Sequence, residues 1–424
     1  MTLQDFFLEQ SYLASLIVCL LIYSFYEAVG RLRAPHGPRP PRVKYFLPWI
    51  GSAMEMGKDP DAFFRRARIK TLGLEMTYVT SPELISAIYR NSKSFEYLPI
   101  RLHVVEKVFG LPRDLTHSRF IVEELNTKLS RPWNTAGAFF GKAFNAENSY
   151  KPFKTFDDQF PLIVAEVPKF LYLNSPHEDS SIVMLRLEAS ARAAGWSDRE
   201  IATAFGSEFW GLQANSIYAA YWVLALKLQQ PEGLAALIAE VDKAKGDWET
   251  QHPDHSSYEN QHQWVLDVTL PLLNSTIQES LRLASSSFSV RRVCMPTNFA
   301  GFNFEAGERL VCVTRSVHMD DEIHPNPQEF DPTRYMEGQN KFMKNGKIVP
   351  NHLIPFGGGI SMCEGRHFAL RELKIFLALM MTYVAVEIDS KSSARPKFLT
   401  TRIGTGIMHP AGDLGVKITK RKRS

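Results

Sequence analysis

The stretch Phe356-Gly-Gly-Gly-Ile-Ser-Met-Cys363-Glu-Gly365-Arg-His-Phe368-Ala369 decides how the rest of the chain is read. Three consecutive glycines let the backbone take positive φ and approach a large planar ligand closely. Cys363 follows them and stands just ahead of residues 365–383, whose apolar spacing predicts a helix. At that N-terminus, free backbone N–H groups and the helix dipole favour a thiolate over a thiol. A lone anionic sulfur in an apolar shell is what an axial haem ligand requires, because thiolate donation to iron favours O–O cleavage. The bland alternative is a buried, inert cysteine after a glycine-rich turn. Against it stands the four-position match F-x-x-G-x-x-x-C-x-G, expected by chance in about one in a thousand chains of this make-up.

The segment resembles the haem-binding loop of the cytochrome P450 superfamily, with Cys363 on the proximal thiolate and Phe356, Gly359 and Gly365 on its fixed positions. Upstream, Glu279-Ser-Leu-Arg282 matches the family's E-x-x-R, on a predicted helix where positions three apart share a face. Alone this match is weak, and its simplest reading is a surface ion pair. Its position ahead of Phe330-Asp-Pro332-Thr-Arg334-Tyr335, similar to the family's F-x-P-x-R-F meander, strengthens it. The resemblance implies a buried charge network of Glu279, Arg282 and Arg334 that is structural in role. His318-Met-Asp320, ahead of Pro327, fits the same order. Arg291, on the strand after the E-x-x-R helix, corresponds to a basic residue that contacts a haem propionate in the family; otherwise it is an ordinary surface charge. The resemblance covers the chain from Pro35 onward.

Residues 197–229 predict one long helix, opened by the capping-box pattern Ser197-Asp-Arg-Glu200 and ended before Pro231. Apolar residues surround it, which sends it through the core. In the family this helix crosses the distal face of the haem and carries an acid followed by Thr, which handle water and protons for bound dioxygen. Here Gln213-Ala-Asn215-Ser216 puts Asn215 and Ser216 at those catalytic positions. An amide cannot titrate near neutral pH, although it can orient a water. The structural alternative is a pair of small polar residues inside a buried helix. Asn215, with Ser361 where the haem loop often has Arg or His, makes the chain resemble the branch of sterol 7α-hydroxylases, oxysterol hydroxylases and prostacyclin synthase. Phe209, Trp210, Tyr218 and Tyr221 could line a substrate cavity, though aromatics at helical spacing are usually core.

Further helices are predicted over residues 61–70, 81–90 and 266–284, and strands around 291–293, 302–304, 310–313 and 403–418. The fold class is therefore mainly α with small β-sheets, a cytochrome P450 fold by resemblance, in one domain over residues 51–424. Composition agrees: 45% hydrophobic and 12% aromatic residues support a large core and exclude intrinsic disorder. A net charge of +4 is too small to argue for a nucleic-acid partner. Cys19, Cys294, Cys312 and Cys363 form no C-x-x-C pair, so a disulfide framework and a zinc module are not expected.

Residues 11–29 contain Glu27 as their one charge and are long enough to cross a bilayer. Asp5 and Glu9 precede them, while Arg31, Arg33, Arg39, Arg42 and Lys44 follow. The positive-inside rule then places residues 1–10 in the lumen and the remainder in the cytosol. Residues 30–50 form a basic, proline-rich spacer.

By this resemblance the chain is a single-pass protein of the endoplasmic reticulum membrane that holds haem b through Cys363. It takes electrons from an NADPH-dependent cytochrome P450 reductase and oxidises a lipophilic steroid or terpenoid-like molecule, as a monomer. One alternative is an electron-independent isomerase or dehydratase of the prostacyclin synthase type. Another is a shortened, non-catalytic lipid-binding copy. Its motive is that residues 69–80 look too short for the family's paired strands, and that no W-x-x-x-R follows Trp133 in a compressed segment 131–144.

Overall fold

The computed structural model describes residues 38–40, 63, 69–72, 76–116, 182–253, 262–338, 341–389, 396–400 and 403–421. The expected anchor at 11–29, most of the proline spacer and the segment 131–144 with Trp133 lie outside the described residues. Among the described residues, no helix is long and apolar enough to cross a membrane.

Helices dominate, as expected from the apolar spacing. They are α1 (Pro82–Arg90), α2 (Leu98–Lys107), α3 (Arg113–Thr116), α4 (Ile182–Ala193), α5 (Asp198–Gln213) and α6 (Ser216–Leu228). After these come α7 (Pro231–Gln251), α8 (Gln263–Asp267), α9 (Pro271–Ala284), α10 (Thr314–His318) and α11 (Arg366–Tyr383). Local chemistry sets several of their ends. Ser81 caps α1, its hydroxyl accepting the Leu84 N–H, with Pro82 at the first helical position. The capping box ahead of α5 is formed: Glu200 N–H donates to Ser197 Oγ at 3.4 Å and Ser197 N–H to Glu200 Oε2 at 2.7 Å.

Two expected helices are divided. The run 266–284 breaks into α8 and α9 because Pro271 forces Leu270 out of helical geometry (φ −128°, ψ 76°). A side chain from another helix then caps α9: Leu272 and Leu273 donate their N–H groups to the Glu240 carboxylate at 2.8 and 2.9 Å. The run 197–229 is not one helix either. It breaks at residues 214 and 215, although neither is Gly or Pro, and Asn215 there accepts a hydrogen bond from the distant Ile407 N–H.

Eleven strands are described. β1 (Ile69–Leu72), β2 (Met76–Val79), β3 (Phe95–Glu96), β4 (Phe288–Val293), β5 (Thr297–Phe299) and β6 (Phe302–Phe304) come first. Then follow β7 (Arg309–Val313), β8 (Met343–Lys344), β9 (Lys347–Ile348), β10 (Val384–Ile388) and β11 (Val416–Lys420). The main sheet has the order β1-β2-β7-β4-β3; β2 runs parallel to β7 and the other neighbours are antiparallel. Residues 69–80 therefore do hold paired strands, contrary to the expectation that they are too short. Ile69 pairs with Val79 and Leu72 with Met76, antiparallel. For the same reason the helix expected over 61–70 is wrong at its end: Ile69 and Lys70 are strand, and only Phe63 of the rest is described, as helix.

The larger core gathers around α6, with Trp222, Val223, Leu237, Val241, Leu273 and Leu377 at 0% exposure. Its helix partners are α7, α9 and α11. A second cluster, including Ile85, Phe95, Leu310 and Ile354, lies beneath the main sheet. The cysteine loop sits between these two bodies, entered from Ile354 and left through α11.

Candidate functional site

The loop from Phe356 to Gly365 closes on itself. Cys363 N–H donates to Phe356 O at 2.9 Å, Met362 N–H to Gly359 O at 3.1 Å, and Arg366 N–H to Cys363 O at 3.3 Å. Gly357 and Gly359 take positive φ of 69° and 70°. Within the chain, the glycines lie against Tyr89. A Cβ on Gly358 would lie 2.3 Å from the Tyr89 ring, and one on Gly359 would lie 2.4 Å from the Tyr89 carbonyl oxygen. Close approach of α1 is thus what the glycine run permits.

Cys363 reaches the surface. Even so, loss of water on its protein side is the largest influence on the thiol and raises its pKa, ahead of the Gly365 N–H that lowers it; Arg366 and Arg101 also lower it. The Gly365 N–H at the helix N-terminus acts in the expected direction, lowering the pKa, against that burial.

Arg291 is buried, not a surface charge, at 3% exposure. Its Nη1 donates to Ser289 Oγ (2.9 Å) and Val290 O (3.0 Å), and its Nη2 to Gly358 O (3.0 Å) and Ser361 Oγ (2.6 Å). The guanidinium lies over the rings of Tyr89 and Tyr97, 5.1 and 5.4 Å from their centroids. Among the described residues it pairs with no carboxylate. A buried cation beside the cysteine loop without a counter-ion fits the carboxylate edge of a haem, and an open sulfur on the same loop fits its iron.

Glu279, Arg282 and Arg334 come together out of contact with water. Arg282 is bidentate to Glu279 (Nε to Oε2 2.8 Å, Nη2 to Oε1 2.7 Å), and Arg334 Nε reaches Oε2 at 3.1 Å. The remaining donors go to backbone: Arg282 Nη1 to His318 O and Pro327 O, Arg334 Nη1 to Pro325 O. His318 carries the link onward, since Ile354 N–H donates to its Nε2 at 2.9 Å, two residues before Phe356. Burial pushes the His318 imidazole well down, which keeps it neutral and able to accept that bond.

Asn215 and Ser216 face different partners. Asn215 Oδ1 accepts the Ile407 N–H at 2.9 Å. Ser216 bonds the carboxyl of Glu372, on α11; burial raises the Glu372 pKa and the serine bond opposes that rise. Glu372 Oε2 is buried without a partner. Of the neighbouring aromatics, Trp210 packs on Phe109, Tyr218 stacks on His409, and Tyr221 stands edge-on to Trp222. The Phe209 side chain lies outside the described residues. Tyr89, Glu372 and Ile407 were not anticipated from the sequence. Ile407 acts through its backbone, and Glu372 reads as an ordinary polar position on a helix.

A family model described as Cytochrome P450 matches residues 121–414. Cytochrome P450 7A1 of Oryctolagus cuniculus is 25% identical over 487 residues, covering 94% of this chain and 97% of that protein. That alignment is longer than the 424-residue chain, which is therefore gapped against it. Cytochrome P450 7B1 of Mus musculus is 26% identical over 475 residues, with 92% of each covered. Prostacyclin synthase of Homo sapiens is 34% identical over 233 residues, covering 53% of this chain and 46% of that one. A crystal structure of a cytochrome P450 (CYP102L1) shares the fold, with a TM-score of 0.63 at 19% identity, over 92% of this chain and 100% of that one. The chain belongs to the cytochrome P450 family, and is a monooxygenase whose cofactor is haem bound through a cysteine thiolate.

Proposed function

We propose that this cytochrome P450 hydroxylates or otherwise oxidises a sterol or a terpenoid-like lipophilic molecule, using dioxygen and electrons from an NADPH-dependent reductase. The single observation that carries the placement of the cofactor is the buried, carboxylate-free Arg291 bonded to the loop of Cys363. Cys363 would hold the iron, Arg291 a propionate, and Phe356, Gly359 and Gly365 the shape of the loop. Bound haem supplies the activation of dioxygen. The chain supplies the rest. Ser216, beside the Glu372 carboxyl, would take the proton-handling position, in place of the acid that Asn215 cannot be.

The substrate class is supported by relatives named as a cholesterol 7-alpha-monooxygenase in Cricetulus griseus and a 25-hydroxycholesterol 7-alpha-hydroxylase in Rattus norvegicus. Residues 11–29 anchor the chain in the endoplasmic reticulum membrane, with residues 51–424 as one catalytic domain on the cytosolic side. The test is a reduced, carbon monoxide-bound difference spectrum of the purified protein. A thiolate-type Soret band that is lost in Cys363→Ala is expected; its absence, or its survival in the variant, overturns the reading.

A second reading, isomerisation of a peroxide without external electrons, draws on the untitratable Asn215 and on the likeness to prostacyclin synthase. Turnover measured with and without reductase and NADPH separates the two. Product formation that ignores the electron supply favours isomerisation.

A further inference from the structure

Lys227 is a cation for which the chemistry described so far has no use. It lies in the last turn of α6, at 0% exposure, and its Nζ is buried without a hydrogen-bond partner. Burial lowers the pKa of the amine to about 8, and no carboxylate among the described residues opposes that fall. The amine is directed at the start of α7, a helix of 21 residues. A Cβ on Gly233 would lie 2.9 Å from Lys227 Nζ and 3.5 Å from Gln230 Oε1, so both polar tips converge on the first turn of α7. That turn is uncapped: Gln230, at the N-cap, makes no side-chain capping bond, and Pro231 at the first helical position has no N–H. The N–H groups of Glu232 and Gly233 have no acceptor among the described residues, whereas Leu234 N–H bonds Gln230 O at 2.9 Å. The acid of that turn, Glu232, is exposed and forms no bond with the amine. A buried ammonium and the positive end of a helix dipole therefore lie side by side. Glycine inside a helix is unfavourable relative to alanine; here its missing side chain is what lets Nζ lie beside the turn.

We propose that Lys227 and the N–H groups of Glu232 and Gly233 form a binding site for a small oxyanion, either inorganic phosphate or the carboxylate of a small acid. The ammonium supplies the charge, and the two N–H groups supply directional donors. Pro231 and Glu232 are exposed, so the helix end opens to solvent and gives the anion its entry. Gln230 connects the site to the meander: its Nε2 donates to Phe330 O at 3.1 Å, and the next residue, Asp331, donates its N–H to Glu279 Oε1 at 3.1 Å. A bound oxyanion thus steadies the segment that carries Arg334. None of these residues belongs to the cysteine loop, and the site stands without the monooxygenase reading.

The experiment follows the ionisation of Lys227 in the purified holoenzyme by NMR of carbon-13-labelled lysine Cε, with the signal assigned by its loss in Lys227→Met. Lys227→Arg gives the same assignment if the methionine variant does not fold. At constant ionic strength, replacing chloride by sodium phosphate or sodium acetate should raise the midpoint of the Lys227 titration by about one pH unit, a tenfold change in its ionisation. A rise with phosphate alone identifies inorganic phosphate as the occupant; a rise with acetate identifies a carboxylate. Gly233→Ala, whose Cβ meets Nζ, should abolish the rise. The melting temperature of the parent should climb saturably with the effective anion, and that climb should be missing from Lys227→Met. A Lys227 midpoint indifferent to both anions overturns the site, as does an equal gain in melting temperature in the parent and in Lys227→Met. Neither readout uses turnover, so a failure of the monooxygenase reading leaves this test intact.

Discussion

Arg282 on α9 and Arg291 on β4, the strand that follows it, are both buried arginines, and their surroundings differ in one respect. Arg282 meets a carboxylate in a bidentate pair and spends its remaining donors on backbone carbonyls, so the charge is balanced within the chain. Arg291 has four neutral acceptors and two tyrosine rings around it, and no carboxylate among the described residues. Burying a guanidinium is tolerable in either setting only if its charge is answered. Where the answer is built in, the group ties elements together; where it is left out, the proposed propionate contact would supply it. Motif membership alone does not make this distinction.

Four measurements can break or sharpen the contrast. Glu279→Ala should have the largest effect, about 3–5 kcal/mol of stability, because it strands two guanidinium groups away from water; urea unfolding reads it. Arg291→Ala removes hydrogen bonds to neutral partners only, and should cost about 1–3 kcal/mol in the same assay while haem retention on gel filtration collapses. Equal destabilisation by the two substitutions would erase the difference between tie and receptor.

Ser361→Ala is a finer cut. It removes one acceptor from Arg291, with an expected loss of about 1 kcal/mol and a modest rise in haem release measured by transfer to apomyoglobin. Glu372 supplies the mirror image, a carboxyl with no cation among the described residues. Burial raises its pKa, so its contribution to stability is present at acid pH and is lost as pH rises beyond the usual carboxylate range through the raised value. Glu372→Gln should abolish that loss, a gain near neutral pH below about 1 kcal/mol once solvent around a partly exposed group is allowed for. Melting temperatures of the two proteins that run parallel with pH would show that the carboxyl is not perturbed.

What could be read in advance follows from where each partner lies along the chain. The cysteine loop was legible because its fixed residues fall within ten positions of one another. Glu279 and Arg282 were legible as a pair on one helix, and Arg334 by its motif. The carbonyls of His318, Pro325 and Pro327 that complete their bonding were not, since a backbone acceptor has no sequence signature. The break at Asn215 was hidden for the same reason: an apolar pattern runs straight through it, and the group that Asn215 bonds is a backbone N–H 192 residues away. The short strands Ile69–Leu72 and Met76–Val79 were misjudged because length was weighed without the partner that completes them.

That partner has a consequence for how the molecule is made. Met76–Val79 pairs in parallel with Arg309–Val313, so the middle of the main sheet joins stretches more than two hundred residues apart. An isolated two-stranded hairpin is marginal in water, and distant parallel pairing is among the slowest steps a chain performs. During synthesis the β1–β2 hairpin emerges with an unfilled edge, and it gains its neighbour only when residue 313 has left the ribosome. Assembly of the sheet is thereby postponed until most of the chain exists, and in the interval that open edge is free to pair with another molecule.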